Sequence, residues 1–385
     1  MSFYLVVALT VLNHIAYKGS KMLVSLYAID FGATPFQVGV LFSLYSLFSL
    51  FIAVHAGRLS DRFGPRRLML AGSCGLGGGL LLPFLWPHLA LLYLSATVIG
   101  ALYIFFTVSA QHLIGASGGG HARTRNFGLY SLGVGISSLI APPLTGFAID
   151  HIGFQATYGM LALLPAGPLA FLLFFHPADR ASAAAKERGE QRAVDLLRNV
   201  SLRRALITAG IVETGGELYN FYMPIYGHSI GLSASRIGLI IGVYAVALLV
   251  ARGVMAALVR RSSEETVLFG SLALTAATCV LFPFVADPLM LAGISFVFGL
   301  GLGCCGPLSM IITYNRAPDG RAGEAIGLRQ SFNKFIEVAL PLLAGSLGSV
   351  FGLGPVFWVN AMFLGGGAAL MYADARQRKR HSAAG

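Results

Sequence analysis

The chain has 385 residues, 56% of them hydrophobic and only 11% charged, with a mean hydropathy of +0.74. A soluble domain carries about 25% charged residues, so a soluble enzyme or binding module is excluded at the outset. The net charge of +11 would suit a nucleic-acid partner, but the placement of the bases argues against one.

Apolar runs of about 20 residues, each able to cross a hydrocarbon core of ~30 Å as a helix, recur along the whole length. Twelve are predicted: 3–28, 35–56, 67–86, 88–112, 126–149, 154–176, 203–227, 235–258, 266–286, 288–314, 325–351 and 354–374. Helices are required because a lipid-exposed span must satisfy its own backbone, and barrel strands would show shorter alternating segments. Of 27 Lys and Arg, 21 fall after the even-numbered spans, in the central stretch or in the tail, while the opposite loops hold only Arg236. This positive-inside bias puts both termini in the cytoplasm. No cleavable signal peptide is expected, because Met1-Ser2 leads into the first span without a basic segment. Cys74, Cys279, Cys304 and Cys305 all lie in apolar spans without zinc-ligand spacing.

Displaced by 199 residues, the chain matches itself without a gap. Gly32, Gly39 and Tyr45 fall on Gly231, Gly238 and Tyr244, and Gly128, Pro142, Gly146 and Gly153 fall on Gly327, Pro341, Gly345 and Gly352. The expected organisation is therefore two parallel repeats, a build used by secondary transporters with the solute site between the halves. The halves are 1–176 and 203–376. Between them, 177–202 mixes Lys186, Glu187, Arg188, Glu190, Arg192, Asp195 and Arg198 with Leu196 and Leu197. That pattern suits an amphipathic helix on the membrane surface or a solvated tether. A basic tail, 377–385, follows the last span.

The first span carries His14, Lys18 and Lys21 on one helical stripe (i, i+4, i+7). The loop after the second span reads Gly57-Arg-Leu-Ser-Asp61-Arg62-Phe-Gly64-Pro65-Arg66-Arg67. This run resembles the G-x-x-x-D-R-x-G-x-R-R signature of the major facilitator superfamily, at the loop where that family carries it. With twelve spans, two halves and a hydrophilic linker, the resemblance covers essentially the whole chain. It implies an all-α membrane protein of two pseudo-symmetric six-helix bundles. It also implies that Gly57, Asp61, Arg62, Gly64, Arg66 and Arg67 form a cytoplasmic latch on the outward-facing state. The repeat has lost the latch, since Asp61 falls on Arg260. The fourth span has Ala96 where many proton-coupled drug exporters of the family carry Arg. The fifth span, with Gly128, Ser137, Ala141, Pro142, Thr145 and Gly146, looks like a worn antiporter motif. Gly301-x-Gly303-x-x-Gly306 lies mid-span and reads as helix packing, not as a dinucleotide site. The absence of a Walker A run argues against ATP-driven transport.

The seventh span carries Glu213, Glu217 and Asn220 on one stripe, with Glu213 and Glu217 at the register of His14 and Lys18. The eleventh carries Gln330, Asn333, Lys334 and Glu337. Arg252 and Arg329 lie near the cytoplasmic ends, where snorkelling or gate salt bridges account for them. A charge at a helix centre costs ~3 kcal/mol on insertion scales, so these residues mark a site by default. The family resemblance implies that spans 1, 4, 7 and 10 line a central cavity, which would bring Lys18 near Glu217 and His14 near Glu213. Tyr17, Tyr103, Gln111, Tyr219, Tyr222 and Asn333 are candidate neutral contacts. Glu213, Glu217 and Glu337 are protonatable, and imidazole titrates near neutral pH. Bases in the spans outnumber acids five to three, which favours an anionic or zwitterionic solute. The expected function is proton-coupled transport without cofactor or metal, by a monomer in the plasma (bacterial inner) membrane, with export slightly ahead of uptake by symport. A membrane enzyme or receptor on a transporter fold is the second alternative.

Overall fold

A computed structural model describes residues 3–116, 120–174, 193–318 and 321–383. Within those helices the side chains of several residues, Asp61, Arg123 and Arg125 among them, lie outside the described set. Regular structure among the described residues is helical throughout. The α-helices are α1 (Phe3–Asp30), α2 (Pro35–Phe63), α3 (Pro65–Leu85), α4 (Leu89–Ala116), α5 (Gly120–Phe174), α6 (Val200–Ser229), α7 (Ala234–Arg261), α8 (Glu264–Leu281), α9 (Pro288–Asn315), α10 (Ala322–Phe351) and α11 (Gly354–Ala383). α5 is 55 residues long and is broken at Gly153, where φ is 81° and ψ 169°. A left-handed backbone there is open to glycine at little cost, and the break falls between the fifth and sixth expected spans.

Nine helices are long and apolar enough to cross a membrane among the described residues. The other two, α1 and α6, have 28 and 30 residues. They have the length, but His14, Lys18 and Lys21 in one, and Glu213, Glu217 and Asn220 in the other, dilute their apolar sequence.

The 199-residue repeat is legible in backbone detail. α2 and α7, α3 and α8, and α4 and α9 begin at matching positions. After α1, Gly32 N–H donates to Ile29 (2.8 Å) and Ala33 N–H to Ala28 (2.9 Å). After α6, Gly231 N–H donates to His228 (3.0 Å) and Leu232 N–H to Gly227 (2.9 Å). Both glycines have positive φ, 78° and 80°, the left-handed helix stop that satisfies the last carbonyls. The next helix is then capped by Thr34, with its Gln37 capping box, or by Ser233, whose Oγ accepts from Arg236 N–H.

Two compact units result, one of residues 1–187 together with 227–242, the other of 188–226 together with 243–385. In the first, α5 packs along α1, and α3 packs on both α4 and α5. In the second, α8 packs on both α9 and α11. A Cβ on Gly100 would meet the Tyr45 carbonyl oxygen at 2.8 Å, and one on its repeat partner Gly299 would meet that of Tyr244 at 2.6 Å. Small residues at these crossings let the backbones approach. Gly301 and Gly303 likewise pack α9 against Thr275 of α8 and Ala251 of α7.

Residues 193–198 depart from the surface-helix expectation. They form a 3₁₀ turn whose Leu196 is 2% exposed and packs with Leu202, Leu206 and Ala325. Burial against α6 and α10 gains more than a lone leucine at a headgroup surface would. The preceding 175–192 and the end of the tail lie outside the described residues.

Candidate functional site

In the first unit, His14 and Tyr17 of α1 meet Tyr103 of α4. The Tyr103 hydroxyl is 3.1 Å from His14 Nδ1, and the Tyr17 and Tyr103 rings stack at 4.5 Å. Tyr45 of α2 meets Tyr17 edge-on at 5.7 Å and donates to Ser20 Oγ. His14 Nε2 is buried and has no hydrogen-bond partner among the described residues. Either tautomer of His14 fits the contact with Tyr103, since each leaves one hydrogen and one acceptor of the pair unused. Lys18 is half-buried. Lys21 is 6% exposed, and its Nζ lies 4.5 Å from the Phe42 ring centroid and 5.8 Å from that of Tyr17. Its charge sits on aromatic faces, a favourable placement for a desolvated cation.

In the second unit, Glu213 of α6 accepts from Asn333 Nδ2 of α10 at 2.7 Å. One turn on, Glu217 is 9% exposed. Asn220 turns back to its own helix, donating to the Gly216 carbonyl at 2.7 Å. On α10, Lys334 Nζ pairs with both Glu337 oxygens at 2.6 and 2.7 Å, an i, i+3 ion pair. Arg329 is buried and donates to Ser309 Oγ of α9 at 3.2 Å, so it does not reach solvent by snorkelling. Tyr219 and Tyr222 are core residues: Tyr219 stacks on Phe298 at 5.3 Å, and Tyr222 meets Phe357 edge-on at 5.6 Å. Gln111 is exposed and reaches Tyr130 at 3.5 Å. His14 and Tyr103 are thus brought together in one unit, as are Glu213 and Asn333 in the other.

The signature loop is compact. α2 ends at Phe63, Gly64 takes φ 83°, and Pro65 opens α3. Arg66 reaches across to the end of α5, donating from Nε to the Leu172 carbonyl (2.8 Å) and from Nη2 to that of Leu173 (3.2 Å). A cation there satisfies terminal carbonyls and meets the negative end of the helix dipole. Arg62 and Arg67 are exposed, and the side chain of Asp61 lies outside the described residues.

A model of the Major Facilitator Superfamily matches residues 6–228 and again 205–385. The chain belongs to the major facilitator superfamily. It is a multi-pass membrane transporter and not an enzyme. Among its relatives, "Multidrug resistance protein MdtG" of Klebsiella pneumoniae (strain 342) is 25% identical, the match covering 89% of this chain and 86% of that one. The protein of the same name from Yersinia enterocolitica is 26% identical over 84% and 80%. The fold is that of the nucleoside transporter NupG (TM-score 0.80, 13% identity, 97% and 99% covered) and of the peptide transporter POT in complex with sulfate (TM-score 0.78, 13% identity, 97% and 94% covered).

Three contacts escaped the sequence reading. Arg66 was expected only as part of a latch. Arg316, counted as a topogenic base, donates to the Ser201 carbonyl and lies 3.6 Å from Glu265. Asp150, just past the fifth expected span, accepts two backbone hydrogen bonds at the start of α7. A signal was available for the first two, because Arg66 and Glu265 stand at matching repeat positions with opposite charge.

Proposed function

We propose that this chain is a proton-coupled secondary transporter that exports a small anionic or zwitterionic organic solute from the cytoplasm by alternating access. The observation that carries the reading is where charge survives. The helices that fall short of ordinary membrane apolarity are α1 and α6, and each carries a stripe of ionisable or polar groups at the same repeat register. Such groups are expensive in lipid and persist where they work. Export is supported by the relatives named as multidrug resistance proteins.

Counting the break at Gly153 as a boundary makes twelve spans in two halves, with both termini cytoplasmic in the bacterial inner membrane. In this reading the solute's anionic group is taken by Lys18, with Lys21 in support, and Glu217 with Glu213 carries the proton. The loop 57–67 is the latch of the outward-facing state, and the protein works as a monomer. A second reading, uptake of an organic anion by proton symport, rests on the excess of bases over acids in the spans.

Paired vesicle preparations test the direction. Everted vesicles should accumulate a substrate found by thermal-shift screening when acidified inside, and right-side-out vesicles with an acid exterior should not. Accumulation only in the right-side-out preparation would replace export by symport.

A further inference from the structure

The basic stripe of α1 is set in rings. Tyr17 stacks on Tyr103 of α4 at 4.5 Å with the planes 20° apart, and Tyr103 stacks in turn on Phe106 at 6.0 Å. His14 lies beside both tyrosines, its ring centroid 6.0 Å from that of Tyr17 and 6.4 Å from that of Tyr103. Lys21 holds its ammonium against Phe42 and Tyr17.

Accessibility divides these residues. His14, Tyr17 and Lys18 are half-buried, whereas Tyr103 and Lys21 are 4% and 6% exposed. Spaced i, i+3 and i+4, the first three share one face of α1. That face is reachable only so far, because every residue from Gly19 to Ala28 is buried. An imidazole, a phenol and an ammonium thus stand together at the end of an accessible stripe, backed by rings that are themselves buried. The spans of the first half, from 3–28 to 154–176, contain no Asp or Glu, so the charge around these rings is basic.

Helix packing does not require the rings. At the 199-residue offset Tyr17, Phe42 and Tyr103 fall on Gly216, Ile241 and Leu302. The second unit makes the matching crossing with aliphatic residues, since a Cβ on Gly216 would stand 3.6 Å from Leu302. Its own rings go into the core, where Tyr219, Tyr222 and Phe298 are no more than 1% exposed.

We propose that the transported solute carries an aromatic ring next to its acid group, the ring lying against Tyr17 and His14 and the acid group meeting Lys18. The proposal rests on the transporter reading above and narrows its solute from any small organic acid to an aryl acid. Lys21, buried beside Tyr17 and Phe42, contributes charge and not contact. A flat ring gains from such a wall in two ways, by stacking or edge-on contact between rings and by removal of its faces from water. A saturated ring of the same carbon skeleton gains only the second.

The test uses the whole chain in detergent and two probes, 2-naphthoate and decahydro-2-naphthoate. They share the carboxylate and the carbon skeleton and differ in flatness and π electrons. Titration calorimetry, with blank micelles subtracted, should find 2-naphthoate bound about fivefold more tightly, against the order of hydrophobicity, as a ring-on-ring contact implies. Tyr17→Leu should erase that preference and Tyr17→Phe should keep it. Lys18→Ala should weaken both probes alike, by about tenfold. Equal binding of the two acids by the parent, binding of neither, or a preference that survives Tyr17→Leu would overturn the aryl site. Flux into proteoliposomes under a pH gradient separates this outcome from failure of the transporter reading. Both acids driven at one rate by parent and Tyr17→Leu alike would remove the ring site and leave that reading. Tyr17-dependent binding without pH-driven flux of either acid would keep the ring site and remove that reading.

Discussion

At the scale of single residues, the decisive feature is ionisable and polar groups placed where lipid should forbid them. His14 is held by one phenol. Tyr103→Phe should therefore free Nδ1, at a cost of about 1 kcal/mol in stability for the lost hydrogen bond. Thermal unfolding in detergent should show that loss, and an unfolding temperature equal to the parent's would contradict the contact. Lys18 and Glu217 are proposed for solute and proton. Lys18→Ala should raise KM at least tenfold while keeping proton dependence, as loss of a charge-assisted contact of about 1.5–3 kcal/mol implies. Equal KM values would remove Lys18 from the site. These stripes were legible in the sequence because helical spacing and membrane cost act on residue type alone. Which neighbours they meet was not. Asn333 with Glu213, Tyr103 with His14, and Phe42 beneath Lys21 depend on how helices are rotated in the packed unit.

Among elements, helix ends and crossings carry the specificity. The arginine-rich loop has one resolved task, since Arg66 closes the end of α5 through two carbonyls. Arg66→Ala should lower stability by about 0.5–1 kcal/mol, and Arg66→Lys should recover part of it, since an ammonium keeps the charge but loses the fork. Thermal unfolding in detergent measures both. If Arg66→Ala unfolds at the parent temperature, the cap is incidental. Asp61→Asn probes the proposed latch separately: turnover should slow, and distances between the halves should shift toward the inward-facing state. Unchanged turnover and distances would reduce the loop to a topology signal. The spans expected from 35 and 288 start where α2 and α9 do, whereas the one expected from 67 misses the first two residues of α3, which opens at Pro65. The turn at 193–198 was not. Its alternation of leucine with charge suits a lipid surface and a protein groove equally, and only the cluster of Leu202, Leu206 and Ala325 decides between them.

For the whole molecule, duplication sets the architecture, and departures from it mark the working parts. Turn glycines, helix starts and the Gly100 and Gly299 crossings repeat with little change. Charge does not: Asp61 opposes Arg260, Arg66 opposes Glu265, and His14 and Lys18 oppose Glu213 and Glu217. Such a repeat keeps its turns and crossings while the chemistry of matching positions diverges. Family membership and the helical fold were accessible from hydropathy, charge bias and one loop signature. The solute, the direction of transport and the coupling ion depend on side chains that the repeat does not constrain.

Proton coupling is the central claim, and the most direct test is flux in sealed proteoliposomes under an imposed pH gradient. Parent protein should drive a substrate found by thermal-shift screening against its concentration gradient, stop when an ionophore collapses the pH difference, and need no ATP. Glu217→Gln should bind that substrate yet only equilibrate it. Uphill transport by Glu217→Gln at the parent rate, or parent flux indifferent to the pH gradient, would contradict the account.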